Sequence, residues 1–150
     1  MPTRFLALHR YWVYANRMRE YFEKALLNPD WLKLGEEHNA HPGLTFFLHD
    51  PGIFISYWYG GLYVVIEGWQ DLGLADPTID RLLESPNVEL LKRYRNGVFH
   101  YQTTYFDDRF SAFMRSQDSV PRVRELNLAF GDYFLREHER ETHGENTPDA

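Results

Sequence analysis

The sequence predicts an all-α protein, a compact up-and-down bundle of about five helices, and three observations lead to this fold class. Apolar residues recur at helical spacing along several long segments, turn residues separate those segments, and no two segments alternate as paired strands do. The 150 residues are enough for one hydrophobic core, and an aromatic content of 17% supplies much of its apolar surface. We therefore expect one domain over residues 1–141, followed by a disordered acidic tail over residues 142–150.

The helical segments are predicted from apolar spacing and from the turn residues that bound them. In chain order they cover residues 3–27, 52–72, 74–84, 87–101, 106–115 and 119–141. The stretch 106–115 either continues the helix before it or forms a separate one. Residues 28–52 form a long connection with a helical turn or two, and Asp76 and Pro77 take the cap and first-turn positions of the third segment.

Apolar spacing also predicts which faces are buried. The stripe on the first helix consists of Leu8, Tyr11, Trp12, Tyr14, Met18, Tyr21, Phe22, Ala25 and Leu26, and that on the last helix consists of Val123, Leu126, Phe130, Phe134 and Leu135. The second helix is apolar on all sides over its first four turns, so we expect it in the middle of the fold. Gly60 and Gly61 lie within it, where each costs about 1 kcal/mol relative to alanine. We expect the close approach of another helix to compensate.

Composition excludes several classes of protein and of site. The chain has no cysteine, which rules out disulfides, thiolate metal sites and thiol catalysis and fits a cytoplasmic location. Its formal net charge is −6, half of it in residues 136–150, so any contact with nucleic acid has to be local. The most apolar stretch, residues 53–66, is shorter than the roughly 20 residues of a membrane span. No signal peptide is recognisable, and we expect no membrane partner.

The segment RNGVFHY, residues 95–101, carries the three polar residues most suited to chemistry. Asn96 and His100 are four apart and would share one face of a helix, and the long side chain of Arg95 can reach the same point. The arginine fork suits phosphate oxygens, the imidazole can move a proton near neutral pH, and the asparagine can orient a ligand or the imidazole. The alternative is an exposed arginine, a hydrogen bond between Asn96 and His100, and no further role.

RNGVFH, preceded by LLKRY and followed by an aromatic residue, resembles the signature of the HEPN superfamily of compact helical domains. In that signature an Arg, with Asn favoured directly after it, is followed by a His after four to six residues. The order of segments is also similar: a long first helix, an apolar second helix, the motif late in a following helix, and one more helix. The resemblance implies a homodimer in which two motifs face each other across a two-fold axis.

Many HEPN proteins are metal-independent ribonucleases of toxin–antitoxin or phage-defence systems. By this resemblance, His100 assists attack by the ribose 2′-hydroxyl or protonates the leaving oxygen, Arg95 stabilises charge on the phosphoryl group, and Asn96 positions it. The expected partners are RNA, a second copy of the chain and an antitoxin protein. Gln102 stands where HEPN toxins with a nucleotidyltransferase antitoxin often carry tyrosine, so we do not expect regulation through that tyrosine. The alternative is a non-catalytic HEPN-like dimer that binds nucleotide, RNA or a partner protein.

Three residues outside the triplet are candidates for supporting roles. Glu67 closes the most apolar helix of the chain, and it either holds Arg95 or His100 or simply reaches solvent at a helix end. Lys92 and Arg93 precede the motif and either add local positive charge for a substrate or belong to a solvated helix face. Each of the three therefore has a functional and a purely structural interpretation.

Aromatic residues and histidines near these segments complete the candidates. Three aromatic rings are suited to stack on bases, those of Tyr101, Tyr105 and Phe106, and Tyr101 is also a candidate to support the site. In so aromatic a chain we expect all three in the core. The connection contains His38, His41, His49 and Asp50. Their spacing matches no zinc pattern, and we expect neither a metal site nor a cofactor.

Overall fold

The computed structural model describes residues 3–28, 30–37 and 41–144, and every regular element in those residues is an α-helix. The helices are α1 (Thr3–Leu27), α2 (Asp30–Glu37), α3 (Pro42–Leu48), α4 (Asp50–Asp71), α5 (Pro77–Leu83), α6 (Asn87–Phe99), α7 (Asp108–Arg115) and α8 (Ser119–Gly144). The all-α prediction is confirmed. The described residues form eight helices rather than about five, chiefly because the long connection folds into α2 and α3.

The helix α4 lies at the centre of the fold, as its all-round apolar pattern predicts. Trp58, Leu62 and Ile66 are fully buried on it. The helix α1 packs along α4 and runs antiparallel to it, because Ala15 lies against Gly61 while the earlier residue Leu8 lies against the later Gly68. A Cβ atom at position 61 would lie 3.3 Å from the Cβ of Ala15, so the expected close approach of a second helix is confirmed.

A buried asparagine fixes α8 against the α1–α4 pair. The side chain of Asn127 is fully buried, accepts a hydrogen bond from the indole of Trp58 at 3.1 Å and donates one to Asn16 at 2.9 Å. Its backbone carbonyl accepts a bond from the indole of Trp12 at 3.0 Å. Because every polar group of this cluster that faces the core has a partner, the asparagine is tolerated there. Apolar spacing alone did not identify it.

Two predicted apolar faces are wrong in part. On α8, Val123, Leu126, Phe130 and Phe134 are buried, but Leu135 is 57% exposed. On α1, the predicted residues Tyr11, Tyr14, Tyr21 and Leu26 are exposed, because α1 lies at the edge of the bundle and buries only the side that faces α4 and α8. The first helix therefore presents a row of exposed aromatic side chains.

The helix boundaries follow local signals closely at three places. The helix α1 has the predicted bounds, and Asp76 caps α5 by accepting hydrogen bonds from the N–H groups of Thr78 and Ile79. The stretch 106–115 contains a separate helix, α7, which begins two residues later than predicted, at Asp108. At the C-terminal end, residues 142–144 continue α8 instead of beginning the predicted tail, and residues 145–150 lie outside the described residues.

None of the helices in the described part of the chain has both the length and the apolar character needed to cross a membrane.

Candidate functional site

The packing of α6 on α4 places the RNGVFHY segment beside Glu67. Tyr94 and Leu91 anchor α6 in the core, and the ring of Tyr94 meets the ring of Tyr59 edge-on at a centroid distance of 5.5 Å. The Tyr94 hydroxyl lies 3.3 Å from that of Ser56 on α4. Burial raises the pKa of Tyr94 to about 12, against the opposing effect of the Ser56 hydrogen bond, so its hydroxyl stays protonated. The residue that follows, Arg95, is thereby turned toward the edge of α4.

Arg95 is held from two sides. Its Nη2 donates a hydrogen bond to Oε2 of Glu67 at 3.0 Å, and its Nη1 donates one to Oδ1 of Asn96 at 3.0 Å. The guanidinium also lies 5.9 Å from the ring centroid of Tyr63, one turn before Glu67 on α4. Glu67 was expected either to hold Arg95 or His100 or to reach solvent at a helix end, and the structure shows the contact with Arg95. Burial first, and then the Glu67 charge, raise the pKa of Tyr63.

The arginine keeps donors for a further group. A guanidinium has five N–H donors, and the bonds to Glu67 and Asn96 use two of them. Its Nε is buried and has no hydrogen-bond partner. A buried donor without a hydrogen-bond partner costs about 1–3 kcal/mol. Buried polar groups that lack a partner are typical of functional positions. The Arg95 side chain is 26% exposed, so its remaining Nη hydrogens can meet a ligand from solvent.

His100 lies just beyond the end of α6. The helix ends at Phe99, and His100 is its C-cap residue with extended backbone angles, φ −121° and ψ 133°. Its backbone N–H donates to the Asn96 carbonyl at 3.1 Å, and Nε2 of Gln102 donates to its carbonyl at 2.6 Å. The predicted helix over residues 87–101 therefore ends two residues early, and His100 caps α6 instead of lying within it. The exposed imidazole of His100 projects from a turn that Gln102 braces.

The predicted basic group of Lys92 and Arg93 is matched by acids in this chain. Lys92 lies 4.0 Å from Glu89, and Arg93 forms a 3.1 Å ion pair with Asp108 on α7. All four side chains are largely exposed, and exposed pairs contribute only about 0–1 kcal/mol, so a phosphate can displace either acid at little cost. Lys92 and Arg93 both lie on α6, but their acidic neighbours reduce the positive electrostatic potential around the motif.

The three aromatic residues after the motif are not in the core, which overturns that prediction. Tyr101 is 92% exposed, and Tyr105 and Phe106 are each about half exposed. The segment 101–107 contains only turns and bends between α6 and α7, so it has no helical face to bury. The three rings therefore remain at the surface.

The histidines of the connection have local structural roles where the structure describes them. Nδ1 of His41 accepts a hydrogen bond from the Gly43 N–H and caps α3, and the ring of His49 bonds the Thr45 carbonyl at 2.6 Å. His38 lies outside the described residues. Within the described ranges, no three His, Asp, Glu or Cys side chains come together in a way that could hold a metal ion.

Two residues at the site were not identified from the sequence. Tyr63 lies under Arg95, and its spacing of four residues from Glu67 on one helix was the available signal. Gln102 bonds the carbonyls of both His100 and Asn96, the second at 3.4 Å. No spacing pattern reveals such a brace, because it depends on where α6 ends.

Comparison with protein-family models, with curated proteins and with solved structures finds no match for this chain. The resemblance of RNGVFH to the HEPN signature therefore stays a prediction that depends on the motif and its surroundings.

Proposed function

We propose that this chain is a metal-independent endoribonuclease of the HEPN type, active at a composite site in a homodimer and serving a toxin or phage-defence role. The observation that carries the proposal is the arrangement of Arg95, which Glu67 and Asn96 hold at the end of α6 while His100 projects from the next turn. An oriented guanidinium and an exposed imidazole five residues apart are suited to phosphoryl transfer, which needs charge stabilisation and proton transfer.

In the proposed reaction, the ribose 2′-oxygen attacks the adjacent phosphorus. The bond between the 2′-oxygen and phosphorus forms as the bond to the 5′-oxygen breaks, and the products are a 2′,3′-cyclic phosphate and a free 5′-hydroxyl. His100 accepts the 2′-hydroxyl proton or donates a proton to the leaving oxygen. Arg95 stabilises the charge that develops on the non-bridging oxygens, and Asn96 and Glu67 keep its fork in place. Lys92 and Arg93 hold the neighbouring phosphates.

The homodimer supplies the second proton-transfer group. In-line displacement is easiest with an acid and a base on opposite sides of the phosphorus, and one chain offers one motif histidine. A two-fold axis uses the same surface of both chains, and α1 offers an apolar surface in the exposed rings of Tyr11, Tyr14 and Tyr21. These tyrosines recur at helical spacing on one face, which supports α1 as a contributor to the interface.

The test is cleavage of single-stranded RNA, with a chelator present, by the wild type and by variants. His100→Ala should lose about 10²–10⁴-fold in rate because it removes proton transfer. Arg95→Ala should lose about 10²–10³-fold because it removes charge stabilisation. Far-UV circular dichroism should show unchanged helicity in both variants, since neither removes core packing.

Matched controls are available in the same chain. Arg19 pairs with Glu23 at 2.8 Å and with Oδ1 of Asn16 at 2.9 Å, and its 21% exposure is close to that of Arg95. His143 is exposed on α8, as His100 is on its turn. Arg19→Ala and His143→Ala should therefore cleave at the wild-type rate. Equal cleavage by all five proteins would indicate a contaminating nuclease and refute the assignment.

A second candidate function is a non-catalytic dimer that binds nucleotide, RNA or a partner protein. The acidic partners of Arg93 and Arg95 favour it, because they reduce the positive field that would attract a polyanion. A wild type that binds RNA but cleaves none of a broad panel would establish this alternative.

A further inference from the structure

A pocket of about 440 Å³ lies beside the motif, between α4 and the turn that follows α6. Its walls include the rings of Tyr57, Phe99, Tyr101 and Tyr105, and His100 forms part of its rim. Tyr57 and Phe99 meet edge-on at a centroid distance of 6.1 Å. Pockets of about 300–1,000 Å³ lined by aromatic rings and a few polar groups are typical of small organic ligands.

The exposed aromatic rings that line this pocket indicate that it binds a ligand. Tyr101 is 92% exposed, and Tyr57, Phe99 and Tyr105 are each about half exposed. Packing in the core explains none of these exposed faces. Aromatic side chains that stand free beside a phosphate-binding motif provide the stacking surfaces by which proteins bind single-stranded nucleic acid.

The charge of the pocket narrows the class of ligand. None of its lining residues, all within the described part of the chain, is acidic, although the whole chain has a formal charge of −6. The larger pocket between α5 and α8 differs, because four acids line it against two arginines: Glu84, Asp118, Glu125 and Asp132 against Arg81 and Arg122. Acids therefore outnumber bases in the larger pocket, whereas the aromatic pocket contains no carboxylate that would repel a ligand attached to a phosphate chain. Ser56, Gln102 and Thr104 supply hydroxyl and amide groups for a heterocycle edge.

We propose that this aromatic pocket binds one unstacked nucleobase of single-stranded RNA, next to the phosphate that the motif engages. This inference rests on the proposed function for the identity of the polymer. Tyr101 and Tyr57 provide ring faces for the base, and the rim at His100 connects the pocket to the reacting phosphate. A base held there fixes the register of the strand, so that one ribose and its phosphate come to the motif.

The test measures binding of a fluorescein-labelled 2′-O-methyl RNA decamer, which cannot be cleaved through a 2′-hydroxyl. A decamer of the same backbone without bases is the second probe. The wild type should bind the decamer with bases about 5- to 150-fold more tightly, the range measured for stacking of a single base. Tyr101→Ala and Tyr57→Ala should remove much of that preference, whereas Tyr101→Phe should keep it because the ring remains.

Phe106 provides the matched control. It is 50% exposed and meets the ring of Tyr105 edge-on at a centroid distance of 5.0 Å, but its other ring neighbour is His41 and it does not itself line the pocket. Phe106→Ala should therefore bind both decamers as the wild type does. Equal binding of the two decamers by the wild type would overturn the inference, and so would an equal effect of Phe106→Ala and Tyr101→Ala.

The outcomes separate this inference from the proposed function. RNA cleavage that depends on His100, together with equal binding of the two decamers, would refute the base pocket and leave the ribonuclease assignment in place. Base-dependent binding that requires Tyr101, without any cleavage, would support the pocket and refute the nuclease. If Tyr57→Ala converted a dimer to a monomer and left the preference for bases unchanged, the pocket would be an interface between two chains and the inference would fail.

Discussion

The contact between Glu67 and Arg95 gives a quantitative prediction, because it joins two charged side chains across α4 and α6. Their Oε2 and Nη2 atoms are 3.0 Å apart, and the side chains are 39% and 26% exposed. Opposite charges about 4 Å apart attract by about 1 kcal/mol in water and about 4 kcal/mol at the effective dielectric near a protein surface. Exposed pairs contribute about 0.2–1 kcal/mol, and breaking buried pairs costs about 3–5 kcal/mol. For this half-buried pair we expect Glu67→Gln to lower the free energy of unfolding by about 1–2 kcal/mol.

The assay is a double-mutant cycle of Glu67→Gln and Arg95→Ala, followed by urea and thermal unfolding. The single Glu67 variant should lower Tm by about 2–8 °C, and the coupling energy should be about 1 kcal/mol. The pair of Arg19 and Glu23 is a control of similar distance and exposure, at 2.8 Å and 21% and 37%, but it lies within α1, and Glu23 also lies 3.5 Å from Arg124. Glu23→Gln should cost similar stability without affecting RNA cleavage, whereas Glu67→Gln should reduce both. Additive effects within about 0.3 kcal/mol would refute the inference that Glu67 holds Arg95.

Two further predictions concern assembly and pH. Light scattering should give a mass of about 36 kDa, twice the 17.9 kDa of the chain. Tyr14→Glu, on the exposed face of α1, should shift that mass toward the monomer. A wild-type monomer at micromolar concentration would contradict the composite site. Burial against Trp12 and Phe134, and then the charge of His138, lower the pKa of His9, so the unfolded chain binds that proton more readily. The free energy of unfolding therefore has no His9 penalty above about pH 6.5 and decreases as pH falls below it. Urea unfolding at pH 7.5 and 5.5 should show a smaller decrease for His9→Gln than for the wild type, and an equal decrease would exclude His9 as the cause.

Local signals allowed much of the fold to be predicted. The bounds of α1 match the segment 3–27, and the cap of α5 follows from a residue directly at the helix end, which is why Asp76 identified it. The central place of α4 follows from its all-round apolar pattern. The short helices α2 and α3 were predicted only as a helical turn or two within the connection, because seven or eight residues contain barely two turns of periodicity.

The site was harder to predict because its geometry depends on long-range packing. Glu67 and Arg95 are 28 residues apart, and only the packing of α6 on α4 brings them together. Gly97, two residues before the end of α6, lies against Phe110 of α7, and a Cβ atom there would lie 3.0 Å from that ring. Spacing had placed His100 within the helix, whereas α6 ends at Phe99 and His100 caps it. The number of aromatic residues could not show that Tyr101 stays on the surface, since composition does not separate core from exposed rings.

The most direct measurement of the central claim compares an RNA strand with the DNA strand of the same sequence, with a chelator present. The proposed mechanism needs the 2′-hydroxyl and no metal ion. It predicts that the wild type cuts the RNA, that mass spectrometry finds 2′,3′-cyclic phosphate and 5′-hydroxyl ends, and that the DNA stays intact. Cleavage of the DNA at the same rate, or RNA products with 3′-hydroxyl and 5′-phosphate ends, would contradict the assignment of Arg95 and His100.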